Sequence, residues 1–253
     1  METLTERQQV ILSYVIDAHI ESAQPVGSHY LTERYRVHYS PATVRHEMGA
    51  LEEMGFLTHP HTSSGRIPTD GGYRYYVDHC VGSETIPESE IRRVSADLKH
   101  SKEEDTEVVP EQVSRFLSAF SGEAGLVVVE ATSPEREKKH VPGKLLVQGS
   151  SRILGKPEFQ NVHKLRVLFD AFEEKNELMN WISCRTSEDG VSIMIGHENE
   201  PEALWDCTVV SARCPLDENN LGSIAVLGPK RMRYARVVPL VETFALLIGR
   251  AMS

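Results

Sequence analysis

Cysteine is scarce in this chain. The four present, Cys80, Cys184, Cys207 and Cys214, show no CxxC spacing. That excludes a disulfide-stapled scaffold and a zinc knuckle, and it fits a reducing compartment. Long apolar runs are missing too. Stretches such as Gly125 to Val129 and Ile224 to Leu227 are far too short to span a bilayer, so no membrane role is expected. The N-terminus carries no basic-then-apolar leader, and the expected location is cytoplasmic. There is no GxxxxGK[ST] loop, no repeat and no low-complexity tract. No Ser/His/Asp order or carboxylate pair stands apart from ordinary surface charge. The reading is a non-enzyme with no cofactor and no metal. His59, His61, His79 and Cys80 match no zinc spacing.

Positive charge is in deficit. There are 27 Lys and Arg against 37 Asp and Glu, a net charge of −10. This argues against a basic coat and bulk nucleic-acid binding, but it leaves room for a local patch. Residues 1–80 hold six Arg, no Lys and ten acidic residues. Arg34, Arg36 and Arg45 fall close together, and Arg66 and Arg74 follow.

What is present is an ordinary globular composition, 40% hydrophobic and 25% charged over 253 residues. At roughly 150 residues per domain this is one to two domains, with enough chain for a core.

The chain opens on an amphipathic helix over 4–20, with Thr5 and Gln8 in capping-box spacing. Gln24-Pro25-Val26-Gly27 breaks it. Ser28 then caps a short helix to about Arg36. Ser40-Pro41 is a specific helix start. That helix buries Val44, Met48, Leu51 and Met54 and stops at Gly55. Phe56 to Thr58 and Ile67 form short strands around the polar loop HPHTSSGRIP. Thr69-Asp70 caps a fourth helix whose Tyr73, Tyr75 and Tyr76 are read as packing. Helix, turn, helix and hairpin is the plan of a winged helix-turn-helix.

Beyond residue 83 come a polar helix after Ile86-Pro87, a solvated charge run at 99–107 and a helix at about 110–120. Strands are expected at 126–129, 145–147, 191–195, 207–212 and 222–227. A loop is expected at 133–142, and helices at 160–182 and 237–251. Interleaved strands and helices make this half α+β.

A recognition helix presents its N-terminal residues to base edges in the major groove. Ser40 and Thr43 can bond phosphate or base. Arg45 can grip guanine O6 and N7, an interaction worth ~1–3 kcal/mol of discrimination, and His46 lies beside it. The competing reading of Arg45 is a solvated residue paired with nearby Glu. In the loop, Ser63, Ser64 and Gly65 allow close backbone approach, and Arg66 can enter a minor groove. The competing reading there is a plain hairpin turn. Ser28 and Arg74 are candidate phosphate contacts. Arg231, Arg233 and Arg236 around Met232 and Tyr234 fit a structural or dimer-face role better than a ligand pocket.

Several stretches carry a resemblance. PVGS at 25–28, SPATVRHEM at 40–48, LEEMGFL at 51–57 and HTSSGRIPTDGGYRYYVD at 61–78 resemble the HrcA family of heat-inducible transcription repressors. So do GSSRILGKPEFQNVHKLR at 149–166, DCTVV at 206–210 and GSIAVLGPKRMRYARVVPLVE at 222–242. The chain departs from the family at His46, where Asn is more frequent, and at Ser64, where Ala is. It also has only Ser133 to Gly143 where the family holds further strands and an inserted dimerising segment. It therefore resembles an internally shortened member.

The resemblance implies a winged helix-turn-helix over 1–82, linker helices over 83–122 and a shortened GAF-like α+β domain over 123–253. It implies a homodimer on double-stranded DNA, at the inverted repeat called CIRCE, with activity modulated by the chaperonin GroEL. Two other classes compete with this. One is a ligand-responsive regulator that uses the GAF-like domain as an effector sensor. The other is a winged helix that grips protein instead of DNA.

Overall fold

The computed structural model describes residues 4–60, 65–104, 108–131, 143–216 and 220–252. The chain divides into two compact units. One comprises residues 1–82 with 230–234, and the other comprises 83–229 with 235–253.

In the first unit, α1 (Glu6–Ser22) begins at a complete capping box. Thr5 N donates to Gln8 Oε1 at 3.0 Å, and Gln8 N donates to Thr5 Oγ1 at 3.3 Å. These bonds satisfy two of the amides that a helix start leaves without partners. Ile11, Leu12, Val15 and Ile16 form its buried stripe. Then come α2 (Ser28–Arg34) and α3 (Pro41–Glu53). Gly27, not Ser28, occupies the α2 cap, without a side-chain cap bond, and Ser28 lies inside the helix, only 7% exposed. The helix also ends earlier than expected, and Arg36 takes a left-handed conformation, φ +50°. Val44, Met48 and Leu51 of α3 are buried, while Met54 is half-buried.

Two short strands, β1 (Leu57–Thr58) and β2 (Ile67–Pro68), pair antiparallel, and α4 (Asp70–His79) follows. Thr69 both caps α4, accepting from Gly72 N at 3.0 Å, and donates to the Gly55 carbonyl at 2.6 Å. The tyrosines are packing residues: Tyr73, Tyr75 and Tyr76 are 9% exposed or less. Tyr76 donates to Asp17 Oδ1 on α1 at 2.6 Å. The segment 230–234 completes this unit. Lys230 Nζ lies 2.6 Å from Asp70 Oδ1. Arg231 donates to the Ile20 carbonyl at 3.2 Å, in the last turn of α1, where a cation also complements the helix dipole. Tyr234, 1% exposed, has its ring centroid 6.1 Å from that of Tyr73 and 6.4 Å from that of Tyr76. The arginine-rich segment is thus structural at Arg231.

The second unit is α+β. Two helices, α5 (Glu88–Glu104) and α6 (Val109–Ser121), precede the strands. Residues 99–104 of the charge run expected to be loop continue α5, and 105–107 lie outside the described residues. Consecutive Lys and Glu are good helix formers, and charge alone does not end a helix.

Five antiparallel strands form one sheet in the order β4-β3-β7-β6-β5. They are β3 (Ala124–Ala131), β4 (Lys144–Gln148), β5 (Val191–Ile195), β6 (Cys207–Pro215) and β7 (Asn220–Pro229). The loop expected at 133–142 lies outside the described residues. On one face, Leu126, Val128, Val209 and Leu227 join a core with α7 (Ser150–Leu154), α8 (Val162–Glu173) and α9 (Lys175–Arg185).

The single helix expected over 160–182 is two, broken at Glu174, φ −76° and ψ +55°. At 100° per residue a straight helix would put Trp181 about 140° away from Leu168. The break lets Leu168, Phe172, Leu178 and Trp181 enter one core. The opposite face carries Val127, Val210, Ile224 and Val226, all fully buried. There α6 presses on β3 at Gly125, where a Cβ would collide with the Ser114 carbonyl. Phe120 of α6 meets Phe244 of α10 (Tyr234–Met252) edge-on, with centroids 6.0 Å apart. No helix among the described residues is long and apolar enough to cross a membrane.

Candidate functional site

The start of α3 is built by its sequence. Pro41 fixes the first helical φ, and Ser40 Oγ accepts from Thr43 N at 3.1 Å. The Ser40 and Thr43 hydroxyls lie 3.0 Å apart, so each already holds a local partner. Val44 and Met48 face inward, which turns Arg45 and His46 outward. Both are exposed, and neither has a partner among the described residues. Arg36, His38 and Tyr39 stand exposed in the turn that leads into α3. Arg7 pairs with Glu47 at 3.2 Å and lies over the Tyr39 ring at 5.3 Å, which holds that end of the turn.

Three other arginines, Arg34, Arg66 and Arg74, have acidic partners within the unit, and the patch expected from their clustering shrinks accordingly. Arg34 lies 3.6 Å from Glu21. Arg74 bonds Asp78 at 3.2 Å and is only 24% exposed, which disfavours the phosphate contact read for it. Ser28 as a residue is only 7% exposed.

Arg66 has a partner inside the unit. Its Nε sits 2.7 Å from Glu52 Oε2 on α3. Its backbone exchanges two hydrogen bonds with Val26, at 2.8 and 2.9 Å. His59, beside β1, bonds the other Glu52 oxygen. Burial opposes the Glu52 charge, but the His59 hydrogen bond and the Arg66 cation outweigh it. The carboxyl is held below the usual glutamate range. Glu52 thus ties the hairpin to α3. Gly65 serves the same joint: a Cβ there would lie 2.5 Å from the Val26 carbonyl carbon. Its missing side chain admits Val26, a need the motif alone did not reveal. Ser63 and Ser64 lie outside the described residues.

Sequence reasoning missed the Glu52–His59–Arg66 cluster. These residues are 7 and 14 positions from Glu52, but α3 ends at Glu53, so only the hairpin's register brings them together. His59 is on Glu52, and His79 stacks on Tyr75 with ring centroids 4.3 Å apart. His61 is outside the described residues. Among the described residues no three His, Cys, Asp or Glu are placed to hold a metal.

The lineage follows from comparison with known proteins. A family model described as the HrcA protein C terminal domain matches residues 83–238. The chain is a transcription repressor by class, and it belongs to the HrcA family. The heat-inducible transcription repressor HrcA of Shouchella clausii (strain KSM-K16) is 29% identical over 331 residues, covering 96% of each chain. That aligned length exceeds the 253 residues of this whole chain, so the relative carries internal sequence that this one lacks. A crystal structure described as a hypothetical protein at 2.2 Å resolution shares the fold. Its TM-score is 0.75 at 18% identity over 99% of both chains. An IclR family transcriptional regulator from Brucella abortus is 12% identical over 98% of this chain and 93% of its own, with a TM-score of 0.31.

Proposed function

We propose that this chain represses heat-inducible genes by reading operator DNA with α3 of a winged helix-turn-helix. One observation carries the reading. Arg45 and His46 stand exposed on the first turns of a helix whose start is capped and whose inner stripe is buried. An unpaired guanidinium there is free for a guanine edge. The capped end, with Ser40 and Thr43, suits a phosphate. Ser63 and Ser64 serve in the wing, and Gly65 and Arg66 anchor it.

The remaining assignments rest on the family. The operator is an inverted repeat of the CIRCE type bound by a homodimer, since a two-fold protein matches a two-fold site. The second unit is a shortened GAF-like domain. The chaperonin GroEL modulates activity, and the protein works in the cytoplasm.

The test is fluorescence anisotropy on a CIRCE duplex and a scrambled duplex across a salt series. We expect a preference of ~10³-fold or more, lost in Arg45→Ala. Equal, steeply salt-dependent binding to both duplexes, unaltered in Arg45→Ala, would overturn the reading.

A further inference from the structure

The sheet face that carries α6 and α10 is incompletely covered at its β5 margin. A groove of about 690 Å³ runs there, floored by Val191, Ala212 and Pro215 and walled by Ala245, Leu246 and Gly249 of α10. Val191 remains half-exposed. Leu246 is 57% exposed, a large apolar side chain in open solvent.

The charges beside it have a particular arrangement. Glu242, Leu246 and Arg250 follow one another at i, i+4 and i+8 on the outer side of α10, and all three are exposed. Neither Glu242 nor Arg250 has an ion-pair partner among the described residues. At 1.5 Å per residue the opposite charges stand about 6 Å either side of Leu246. That row is its own complement under a two-fold axis. Set against a second copy turned through 180° about Leu246, each Glu242 meets the other copy's Arg250. Rows at i±4 interdigitate when two helices cross at about −50°. The small Ala245 and Gly249 leave space beside the row for an incoming leucine.

We propose that this face of α10, centred on Leu246, is where a second copy of the chain docks about a two-fold axis. The inference rests on the homodimer reading above and names its surface. A two-fold contact repeats every interaction, so one unfavourable charge counts twice.

Sedimentation equilibrium of the full chain tests it, in Cys184→Ser background to silence the exposed thiol, with circular dichroism to check folding. The wild-type surface should give a dimer. Leu246→Asp should weaken it at least ~10-fold, as burial of a central anchor demands. Glu242→Arg and Arg250→Glu should each weaken it by like-charge opposition. Mixing these two single variants should restore a dimer, because each arginine then faces a glutamate. A wild-type dimer that is unchanged in Leu246→Asp would overturn the surface while leaving the dimer standing, and the groove would pass to a small-molecule effector or another protein. A monomeric wild type at every concentration would overturn both. Weakening in the single variants without rescue on mixing would overturn the two-fold pairing.

Discussion

Arg66 Nε lies 2.7 Å from Glu52 Oε2, and this pair fastens the hairpin to α3. A cation read from the sequence as reaching for DNA joins two elements of its own unit. Arg66 and Arg45 should therefore fail in opposite ways. Arg66→Ala should lower the melting temperature, through loss of about 1 kcal/mol, with little change in operator preference. Arg45→Ala should leave melting unchanged and cost ~1–3 kcal/mol of discrimination at one base pair. Parallel melts and anisotropy titrations decide. The reverse pattern would return Arg66 to the DNA.

The same pair sets a pH dependence. The folded Glu52 carboxyl titrates below its ordinary value of 4.5. A lowered folded pKa gives stability that is fully present above the unfolded value and is lost as pH falls through the folded one. Glu52→Gln should thus be less stable than wild type at pH 7, and the gap should close progressively below about pH 4.5. Denaturant midpoints at pH 7 and pH 3.5 would measure this. A constant gap would mean that the carboxylate charge does nothing there.

Gly65→Ala offers a steric counterpart. The added Cβ would sit 2.5 Å from the Val26 carbonyl carbon. Either the strand-like bridge to Val26 opens or the hairpin shifts, at a cost of about 1–3 kcal/mol. Urea midpoints would detect it. A neutral substitution would show that the hairpin base yields easily.

The thiols should separate by burial. Burial pushes the Cys214 thiol up to about 12, and Cys207 is also buried, whereas Cys184 is exposed. Under native conditions at pH 8, Cys184 should react with a chromogenic disulfide at once, and Cys207 and Cys214 only on unfolding. Rapid labelling of Cys214 would point to an open sheet.

Much of the first unit was legible in the sequence because its signals are local. Thr5 with Gln8, Ser40 with Pro41, Thr69 and Gly55 each mark a helix end within four residues. The strands of the second unit were legible as short apolar runs, though β6 and β7 extend further than their most apolar stretches. What stayed hidden depends on neighbours distant in the chain. The break at Glu174 contains neither Gly nor Pro, and only a shared core for Leu168 and Trp181 demands it. The exposed Arg45 and His46 followed from the buried stripe of α3. The commitments of Arg34, Arg66 and Arg74 did not, because a sequence shows a cation without showing which carboxylate reaches it.

The segment 230–234 has a consequence for how the protein is made. Tyr73 and Tyr76 are complete by residue 82, but Tyr234, whose ring packs among theirs, follows more than 150 positions later. At translation speeds of 5–20 residues per second that interval lasts roughly 8–30 s. Throughout it, the nascent first unit waits on the ribosome with two aromatic rings lacking their cover. The cover of these rings is complete only once residue 234 has been synthesised.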